Sequence, residues 1–502
     1  MSSSSNNHID NNDGRHRTAS SLDSMTLLQI SDDAIKETVA EDLGAIPKAK
    51  LLVMTDTDKL HDGSPEDGLL VDFEHDLDFE NSVDHGSLKV GEWGCKKFYS
   101  DYIKEGLAYK AKKEGKEPHK DVVMLFESPS TSTTESSFHN PTKYRFHDWP
   151  PPKSTLSKAV LGPCRYGSMN GSAYPVFLRA GAATPGLMEH WAETIPNYCP
   201  PTWASKIEIE KDLVYSYLPV EAFEAENAAG QVNAPAIHYH LAGKDAIHMM
   251  TTKTTKLLPD THTIRPCVVK TTHSMGSKGI FIIHNDEDEK EFEQFLRDSG
   301  NPTFVIVDFV DIARNVACHF FMHPDGRVVW FGSNENHRDA DGRFSSDSYL
   351  LLEHQEKLKE MQLPFVEEVV RYCQALGFWG FCGIDVLFDS KGLGYLVDIN
   401  PRVTGSCPAL MTLKLLSKKY NYQVGLFRRS GDINYYGSAA QLFQEVHEHN
   451  KASEGKNTVV VHSLFEAEPN ARCRINLGVY GNSLEECKNI LNRFAQPAKK
   501  VK

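Results

Sequence analysis

Two aspartates in the stretch GIDVLFDSKGLGYLVDINPR, residues 383–402, are candidates for a shared binding site, because a hairpin would place them opposite each other. A turn around Lys391-Gly392 pairs residues whose numbers sum to 783, so that Asp385 faces Asp398. The same register predicts further pairs: Ile384 with Ile399, Val386 with Val397, Phe388 with Tyr395, and Leu387 with Leu396. Like charges directly opposite each other across two strands are destabilising. A bound positive charge would remove that cost.

A divalent cation is the simplest such charge. Alternation along a strand puts Asn400 on the same face as the two acids. Cross-strand partners have Cβ atoms roughly 4.5–5.5 Å apart, which lets two carboxylates and an amide oxygen converge on one ion. Mg²⁺ prefers one or two carboxylates together with substrate phosphates and water, and Mn²⁺ is the alternative ion. The competing interpretation is an acidic sheet face that is turned to solvent.

Arg402 favours the metal interpretation. It follows Asn400 by two residues, in DINPR. A guanidinium fixed beside a metal and phosphate site suits stabilisation of the charge on a transferring phosphoryl group.

The hairpin needs a sheet around it, and the second half of the chain supplies the strands. Apolar stretches predict strands in RPCVVKTT, GIFIIH, FVIVDFV, VACHFFM, RVVWFGS, TVVVHSLF and ARCRINLGVYG. Helical spacing predicts helices in SLEECKNILNRFA and in EHQEKLKEMQLPFVEEVVRYCQALG, the latter broken at Pro364 and ending at Gly377. HYH, residues 238–240, is interpreted as a surface strand with both histidines on one face.

The first half of the chain predicts a separate α/β domain. Strands in KAKLLVMTD and DVVMLFES flank a stretch with helical spacing, YSDYIKEGLAYKAKKEG. A helix with Thr184 as its N-cap is predicted in AATPGLMEHW, and a solvated glycine-rich loop in GPCRYGSMNGS. Residues 1–45 are rich in serine, asparagine and aspartate and cannot bury enough surface to order themselves.

Composition limits the classes of protein that the chain can represent. A chain of 502 residues is too long for one core, and 40% hydrophobic with 24% charged residues is ordinary for globular domains. The net charge of −14 argues against a general nucleic-acid or membrane-surface binder. No apolar run approaches ~20 residues, and the N-terminus lacks the apolar core of a signal peptide. The ten cysteines occur singly, so reduced thiols in the cytoplasm are expected.

Between Ile237 and Leu413 the sequence resembles the ATP-grasp superfamily. Four elements occur in the family's order: HLAGKD, CVVKTTHSMGSKGIFII, FVIVDFV and FCGIDVLFD…YLVDINPRVTG. The resemblance implies that ATP binds between two α+β subdomains, with Mg²⁺. It also implies activation of a carboxylate as an acyl phosphate, release of ADP, and transfer to an amine or a thiol.

The resemblance also implies roles for individual residues. The magnesium ligands of the family match Asp385, Asp398 and Asn400. Arg402 matches the arginine that contacts the γ-phosphate and the acyl phosphate, and Lys270 matches the lysine that reaches the ATP phosphates. Lys244 looks like an earlier lysine with a similar role. Taken alone, Lys270 would be interpreted as a strand-end lysine in solvent.

Two backbone segments complete the nucleotide site that the resemblance implies. Ser274, Gly276, Ser277 and Gly279 lie in what looks like the flexible loop over the phosphates, where glycine permits close backbone approach. An ordinary hairpin connection is the alternative for this loop. In VDFV, the backbone of Asp308 and Val310 would hold adenine.

The sequence departs from the family at three places. The family more often has glutamate at the positions of Asp398 and Asp308, and the shorter aspartate requires an adjusted metal geometry. The acid that usually binds ribose after the hinge is not obvious, because Arg314 and Asn315 occupy that neighbourhood.

The polar stretch SNENHRDADGRFSSDSY, residues 333–349, is predicted to be a loop. In the family this region often lines the acceptor pocket, which makes Glu335, Arg338 and Arg343 candidate substrate contacts, since an arginine can bind a carboxylate with two hydrogen bonds. A solvated loop is the alternative. Cys382 and Cys407 flank the hairpin, and both are interpreted as core residues.

The predicted fold class is α/β and α+β multidomain, with an N-terminal α/β domain followed by an ATP-grasp fold of two α+β subdomains. The expected boundaries are a disordered tail at 1–45, the N-terminal domain at 46–210, the small subdomain at 211–300, the large subdomain with the metal site at 301–440, and a C-terminal strand–helix element at 441–502.

The expected function is ATP-dependent ligation of a small-molecule carboxylate to an amine of an amino acid, with release of ADP and phosphate. The alternatives are a carboxylate–thiol ligase of the coenzyme A type, phosphoryl transfer alone, and a non-catalytic nucleotide-binding scaffold. Neither nucleic acid nor a membrane is an expected partner, and a homodimer is a possible assembly.

Overall fold

The computed structural model describes residues 88–129, 138–146, 156–259, 261, 264–274, 279–300, 302–338, 344–468 and 471–497. The predicted tail at 1–45 and the strand predicted from Lys48 lie outside these residues. Among the described residues, none of the helices has the length and apolar character needed to cross a membrane. All ten cysteines are free thiols, and nine of them, including Cys382 and Cys407, are buried as core residues.

The strands and helices follow one another along the whole described chain. In chain order the strands are β1 (Val90–Glu92), β2 (Val122–Leu125), β3 (Val176–Phe177), β4 (Trp203–Ala204), β5 (Leu213–Ser216), β6 (Cys267–Thr271), β7 (Ile280–Ile283), β8 (Phe304–Asp308), β9 (Ile312–Met322), β10 (Val328–Arg338), β11 (Phe344–Leu351), β12 (Gly380–Asp389), β13 (Gly394–Asn400), β14 (Val424–Tyr435), β15 (Asn457–Glu468), β16 (Arg472–Gly481) and β17 (Gln496–Pro497). The α-helices are α1 (Tyr99–Glu114), α2 (Leu156–Gly167), α3 (Leu187–Thr194), α4 (Pro235–Leu241), α5 (Ile247–Met250), α6 (Asp286–Asp298), α7 (Gln355–Ala375), α8 (Cys407–Tyr420), α9 (Ala439–Ala452) and α10 (Leu484–Phe494). Short 3₁₀ helices occupy Glu221–Glu224 and Leu352–His354.

The first part of the described chain forms a parallel sheet, as the α/β prediction requires. Its strand order is β4-β3-β2-β5, and every pair is parallel. All four residues of the central strand β2 are buried, which is typical of a parallel strand covered on both faces.

The second part of the described chain consists of a small antiparallel sheet and a large, mainly antiparallel sheet, to which β1 adds a parallel strand beside β10. The small sheet has the order β7-β6-β8 and is covered by α6, whose Phe292 and Phe295 rings lie 5.4 Å and 5.0 Å from the ring of Phe281. Asn285 caps α6 by accepting hydrogen bonds from the backbone of Glu287 and Asp288. The large sheet has the order β13-β12-β9-β10-β11-β14-β16-β15. The two sheets with their helices are the predicted α+β pair, and the exact subdomain boundaries stay predictions.

The large sheet carries the predicted metal hairpin at one edge and is covered on both faces. Helix α7 packs on the face that includes Val386 and Val316. On the other face, which includes Asp385, the helix α1 packs Tyr99 and Tyr102 against Phe381 and Phe321, with ring centroids 4.9 Å and 5.1 Å apart. The N-terminal part of the chain therefore covers part of the sheet face on which Asp385 lies.

Several local predictions are wrong. The helix α7 is continuous through Pro364, because Phe365, Val366 and the following turns are buried against the sheet and this packing outweighs the lost hydrogen bond. It ends as predicted, with Gly377 in the left-handed region at φ 78°. Helix α3 begins after Gly186, so the predicted Thr184 cap is two residues early.

Two polar stretches were also assigned the wrong element. HYH lies in the helix α4, where His238 is buried, because Pro235 at the first turn starts a helix. The stretch GPCRYG, predicted as part of a solvated loop, is the end of α2 with Pro163 inside the helix, and the buried residues Ser168 and Asn170 follow it. The glycines of this stretch favoured the prediction of a solvated loop, although the stretch is helical and its neighbours are buried.

Buried histidines predict a specific dependence of stability on pH. Burial lowers the pKa of His190, His238 and His462 to about 3 and that of His319 to about 4. An unfolded histidine has a pKa of about 6.5, so below that pH the unfolded chain takes up protons that the folded chain refuses. We therefore expect the free energy of unfolding to decrease by about 1 kcal/mol per histidine between pH 6.5 and 5.5, measured by urea denaturation.

A matched pair of variants separates this effect from general acid sensitivity. His462→Gln should make the pH dependence shallower, because it removes one of the buried groups. His284→Gln, at an exposed position, should leave the pH dependence as it is in the parent protein. A free energy of unfolding that stays constant between pH 6.5 and 5.5 would contradict the prediction.

Candidate functional site

The hairpin β12–β13 pairs the two aspartates as predicted. Asp385 lies opposite Asp398, and Gly383 lies opposite Asn400. Gly392, at φ 82°, supplies the left-handed turn residue that follows Lys391. The predicted facing of the two acids is therefore confirmed.

The register of the rest of the hairpin differs from the prediction. It shifts by one residue after Asp385, so that Val386 lies opposite Leu396, Leu387 opposite Tyr395 and Phe388 opposite Gly394. The predicted pairs of Val386, Leu387 and Phe388 are wrong for that reason. The irregularity brings Leu396, rather than Val397, onto the buried face, where it is fully buried.

The two carboxylates form the centre of a polar cluster. The Asn400 Nδ2 atom lies 3.3 Å from Asp385 Oδ2 and 3.5 Å from Asp398 Oδ2. Asn336, on the neighbouring part of the sheet, donates from Nδ2 to Asp385 Oδ1 at 3.3 Å. Burial and then the negative charge of Asp398 raise the pKa of Asp385 to about 7. The pair therefore holds unfavourable electrostatic energy that a cation would relieve.

Two buried lysines lie beside this carboxylate pair. Lys244 is 4% exposed, and its Nζ lies 3.5 Å from Asp398 Oδ1 and 3.3 Å from the Ser274 carbonyl oxygen. Lys270 is 8% exposed, so it is not the solvated strand-end lysine of the alternative interpretation. Burial and then the charge of Lys244 lower the pKa of Lys270 to about 8, against the opposing effect of Asp398. The site thus gathers two buried lysines and two partly exposed carboxylates.

The predicted phosphate loop is described only at its two ends. Gly276 and Ser277 lie outside the described residues. The Thr271 N–H donates to the Gly279 carbonyl oxygen at 2.8 Å, which closes the base of the loop. A Cβ atom on Gly279 would lie 1.8 Å from Thr271 Oγ1 and 2.7 Å from Ser274 Oγ, so only glycine fits there without movement of the neighbours.

Replacement of Gly279 by alanine is expected to displace the base of the loop. We expect the KM for ATP to increase about tenfold, which corresponds to about 1.4 kcal/mol of binding energy, with only a small change in thermal stability. Gly94 is a matched control, because a Cβ atom there would meet nothing within 4 Å. An unchanged KM for ATP in Gly279→Ala, equal to that in Gly94→Ala, would show that the loop base does not position the nucleotide.

The predicted adenine hinge directly follows β8. The Asp308 carboxylate accepts a hydrogen bond from the Lys256 N–H at 2.6 Å, and the Asp308 N–H donates to the Lys256 carbonyl at 2.9 Å. The side chain of Asp308 thus fixes the hinge to the preceding segment. Among the described residues, the backbone of Val310 has no backbone hydrogen-bond partner. Its N–H and carbonyl groups are therefore able to bond to the edge of a base such as adenine.

The predicted acceptor loop is a β-hairpin instead. Residues 333–338 continue β10, residues 344–349 belong to β11, and Arg343 lies outside the described residues. Glu335 and Asn336 point to opposite faces by strand alternation, so Glu335 lies on the face away from Asp385. There it forms an ion pair with Arg314 at 2.6 Å. Arg338 ends the strand β10. The structure therefore does not bring Glu335 to the carboxylate pair.

Sequence reasoning missed a group of side chains around Arg402. Its guanidinium carbon lies 5.0 Å from the ring centroid of Tyr217, and it donates to the Asn400 side-chain oxygen. The Tyr217 hydroxyl lies 3.3 Å from that of Tyr166, to which Arg165 donates at 3.0 Å. Burial alone would raise the pKa of Tyr217, but Arg402 and Arg165 lower it to about 8. Arg165 lies in the glycine-rich stretch that was predicted to be a loop. The spacing of Tyr166 and Tyr217 in the sequence does not indicate that they meet.

Comparison with known protein families gives one match. The model of the family described as “L-aspartate--L-methionine ligase, ATP grasp” matches residues 247–400. This range begins three residues after Lys244 and ends at Asn400, so it includes Lys270 and both aspartates. Comparison with curated proteins found no match.

Several solved structures match this chain at low sequence identity. N5-carboxyaminoimidazole synthetase from Staphylococcus aureus, complexed with ADP, is 14% identical, covers 81% of this chain and 96% of its own, and has a TM-score of 0.41. An L-amino acid ligase from Bacillus licheniformis is 14% identical, covers 56% of this chain and 79% of its own, and has a TM-score of 0.37. A biotin carboxylase from Campylobacter jejuni is 11% identical, covers 57% of this chain and 74% of its own, and has a TM-score of 0.39. Because these TM-scores are below 0.5, the assignment depends on the family model and on the order of the motifs. Over residues 247–400, which include Lys270 and both aspartates, the chain is therefore similar to the ATP-grasp ligases.

Proposed function

We propose that this protein is an ADP-forming ligase that joins a carboxylate to the amine of an amino acid. The observation that carries the proposal is the paired Asp385 and Asp398 with two buried lysines, Lys244 and Lys270, beside them. A triphosphate with its divalent cation complements this arrangement, because the carboxylates need positive charge and the lysines need negative charge.

The residues present fit a magnesium ion. Asp385 and Asp398 face each other in a partly buried position, and burial together with the repulsion from Asp398 raises the pKa of Asp385. Among the described residues there is no group of three or more histidine, cysteine or acidic side chains that would hold a metal alone. This suits Mg²⁺, which takes one or two carboxylates and completes its shell with phosphate and water. A half-turn of the Asn400 amide would present its side-chain oxygen to the ion and release Arg402 from its hydrogen bond to that oxygen.

Each charged side chain then has a distinct role in the proposed reaction. When bound, Mg²⁺ supplies charge neutralisation for the β- and γ-phosphates. Lys270 and Lys244 add positive charge on the phosphates, and the loop from Ser274 through Gly276 and Ser277 to Gly279 encloses them. The backbone of Asp308 and Val310 holds the adenine edge.

Arg402 is proposed to bind the phosphoryl group during transfer. A substrate carboxylate oxygen attacks the γ-phosphorus, the bond to ADP breaks, and an acyl phosphate forms. The amine nitrogen then attacks the acyl carbon, phosphate leaves, and the nitrogen gives up a proton as the amide forms. The N-terminal part of the chain, which covers part of this sheet face, would help to keep water from the acyl phosphate.

The substrates proposed first are those named by the matching family model, L-aspartate and L-methionine. Arg338 and Arg343 remain candidate contacts for a substrate carboxylate. We leave Glu335 out of the proposal, since its carboxylate is paired with Arg314 on the other face of the sheet.

The test is release of ADP and phosphate from Mg²⁺-ATP with pairs of amino acids, beginning with L-aspartate and L-methionine, with products identified by mass. Hydroxylamine added in place of the amine should yield a hydroxamate of the carboxylate substrate. If a hydroxamate forms and no amine yields an amide, but coenzyme A yields a thioester, the acceptor is a thiol and not an amine. ATP binding without release of ADP from any substrate would indicate a scaffold.

A further inference from the structure

Two partly buried arginines beside the proposed reaction centre have no carboxylate partner among the described residues. Among the described residues, no carboxylate lies within ion-pair distance of Arg165 or Arg402. The Nε atoms of both are buried and have no hydrogen-bond partner in that part of the chain. Withdrawal of a charged group from water is costly unless the group is paired and hydrogen-bonded, so these partly buried guanidiniums, each with a buried and unpartnered Nε atom, point to an anion that is supplied from outside the chain.

The two arginines come from different parts of the chain and meet around two tyrosines. Arg165 lies near the end of α2 and Arg402 follows β13. The hydroxyl groups of Tyr166 and Tyr217 lie between them, 3.3 Å apart. Arg402 lies over the Tyr217 ring and donates to the Asn400 side-chain oxygen, and Asn400 Nδ2 lies 3.3 Å from Asp385 Oδ2, so hydrogen bonds connect this cluster to the carboxylate pair.

The remaining hydrogen-bonding capacity of Arg165 fits a carboxylate. It donates from Nη2 to the Tyr166 hydroxyl at 3.0 Å and from Nη1, at a long 3.4 Å, to the Asn476 side-chain oxygen. Nε is unused, and a guanidinium binds a carboxylate best through two parallel N–H donors. Arg402 is assigned to the proposed phosphoryl group, which leaves Arg165 as the cation for a second anion.

We propose that Arg165 binds a substrate carboxylate that is not the one activated by ATP. This inference rests on the proposed function, because it requires a second carboxylate in the reaction. That group is either the side-chain carboxylate of an acidic carboxyl donor or the α-carboxylate of the amino-acid acceptor. Tyr166 holds the guanidinium in place through its hydroxyl and through its ring, whose centroid is 4.7 Å from the guanidinium carbon.

The experiment measures kcat and KM for the parent protein and for Arg165→Met with four substrate combinations. The donor is L-aspartate or L-asparagine, and the acceptor is L-methionine or L-methioninamide. In the parent, removal of the recognised carboxylate should raise KM roughly 10- to 100-fold. In Arg165→Met, the ratio of the KM without that carboxylate to the KM with it should fall to near one. A change for the L-aspartate and L-asparagine pair identifies the donor as the source of the carboxylate. A change for the L-methionine and L-methioninamide pair identifies the acceptor.

Two controls keep the outcome specific. Arg297→Met, on an exposed position of α6, should retain the ratio of the parent. Arg165→Lys keeps the charge without the planar fork, so it should restore the ratio in part while Arg165→Met does not. Affinity for Mg²⁺-ATP should be equal in all four proteins.

Failure of this inference differs from failure of the proposed function. If Arg165→Met turns over and shows the same KM ratios as the parent between substrates with and without the carboxylate, the assignment of Arg165 is overturned and the ligase proposal still stands. If no combination releases ADP, the ligase proposal fails, and calorimetric titration with L-aspartate and L-methionine decides the assignment. Binding that weakens at least tenfold in Arg165→Met supports it, and equal or no binding in both proteins overturns it.

Discussion

Replacement of Asp398 or Asp385 by asparagine is expected to lower magnesium-dependent ADP release by about 10³-fold, because each change removes a charged ligand from the proposed cation. The two variants should differ in stability. Asp385→Asn removes the desolvation cost and the repulsion from Asp398 that together raise the pKa of Asp385, so the protein without ligands should melt at a higher temperature than the parent. Asp398→Asn removes the anion that lies 3.5 Å from the buried Lys244 Nζ, so it should melt lower.

The measurement combines ADP release at several Mg²⁺ concentrations with thermal unfolding of the same samples. Asp121→Asn is a matched control, since Asp121 is half-exposed and forms only a surface pair with Lys211 at 3.4 Å. It should retain the turnover and the melting temperature of the parent. Turnover and magnesium dependence that survive in either site variant would remove the basis of the proposed metal site.

Replacement of Arg402 by lysine is expected to have the second largest effect. Lysine keeps the charge but loses the planar donor group that stacks on the Tyr217 ring at 5.0 Å and bonds to the Asn400 side chain. We expect kcat to fall roughly 10²- to 10³-fold with little change in the KM for ATP, because the proposed contact is made mainly to the phosphoryl group in transfer.

Steady-state kinetics with varied ATP separates kcat from KM in this variant. Arg297→Lys, on the exposed surface of α6, provides the same substitution away from the site. A variant in which KM for ATP rises and kcat is unchanged would indicate that Arg402 binds the nucleotide in its ground state only.

Much of this site was predictable because its signals are local in the sequence. The facing of Asp385 and Asp398 follows from a two-residue periodicity and one glycine turn, and neither depends on the rest of the fold. The one-residue shift beyond them was not predictable, because a bulge is decided by which of Val397 and Leu396 packs better in a core assembled from distant segments.

The cluster around Arg402 shows the opposite case. Arg165 and Tyr217 reach Arg402 only because the N-terminal part packs on the face of the large sheet, which no local pattern records. The stretch around Arg165 has the glycines of a loop, yet burial of its neighbours stabilises a helix. Likewise Asn336 was assigned to a loop because polar residues dominate that stretch, although alternate side chains face the carboxylate pair.

The central claim is that facing carboxylates hold a dication together with the phosphates of ATP, and a crystal structure with Mg²⁺ and a non-hydrolysable ATP analogue tests it most directly. We predict one ion within about 2.1 Å of an oxygen of Asp385, of Asp398 and of the γ-phosphate. An ion coordinated by phosphates and water alone, with both carboxylates out of reach, would contradict the account.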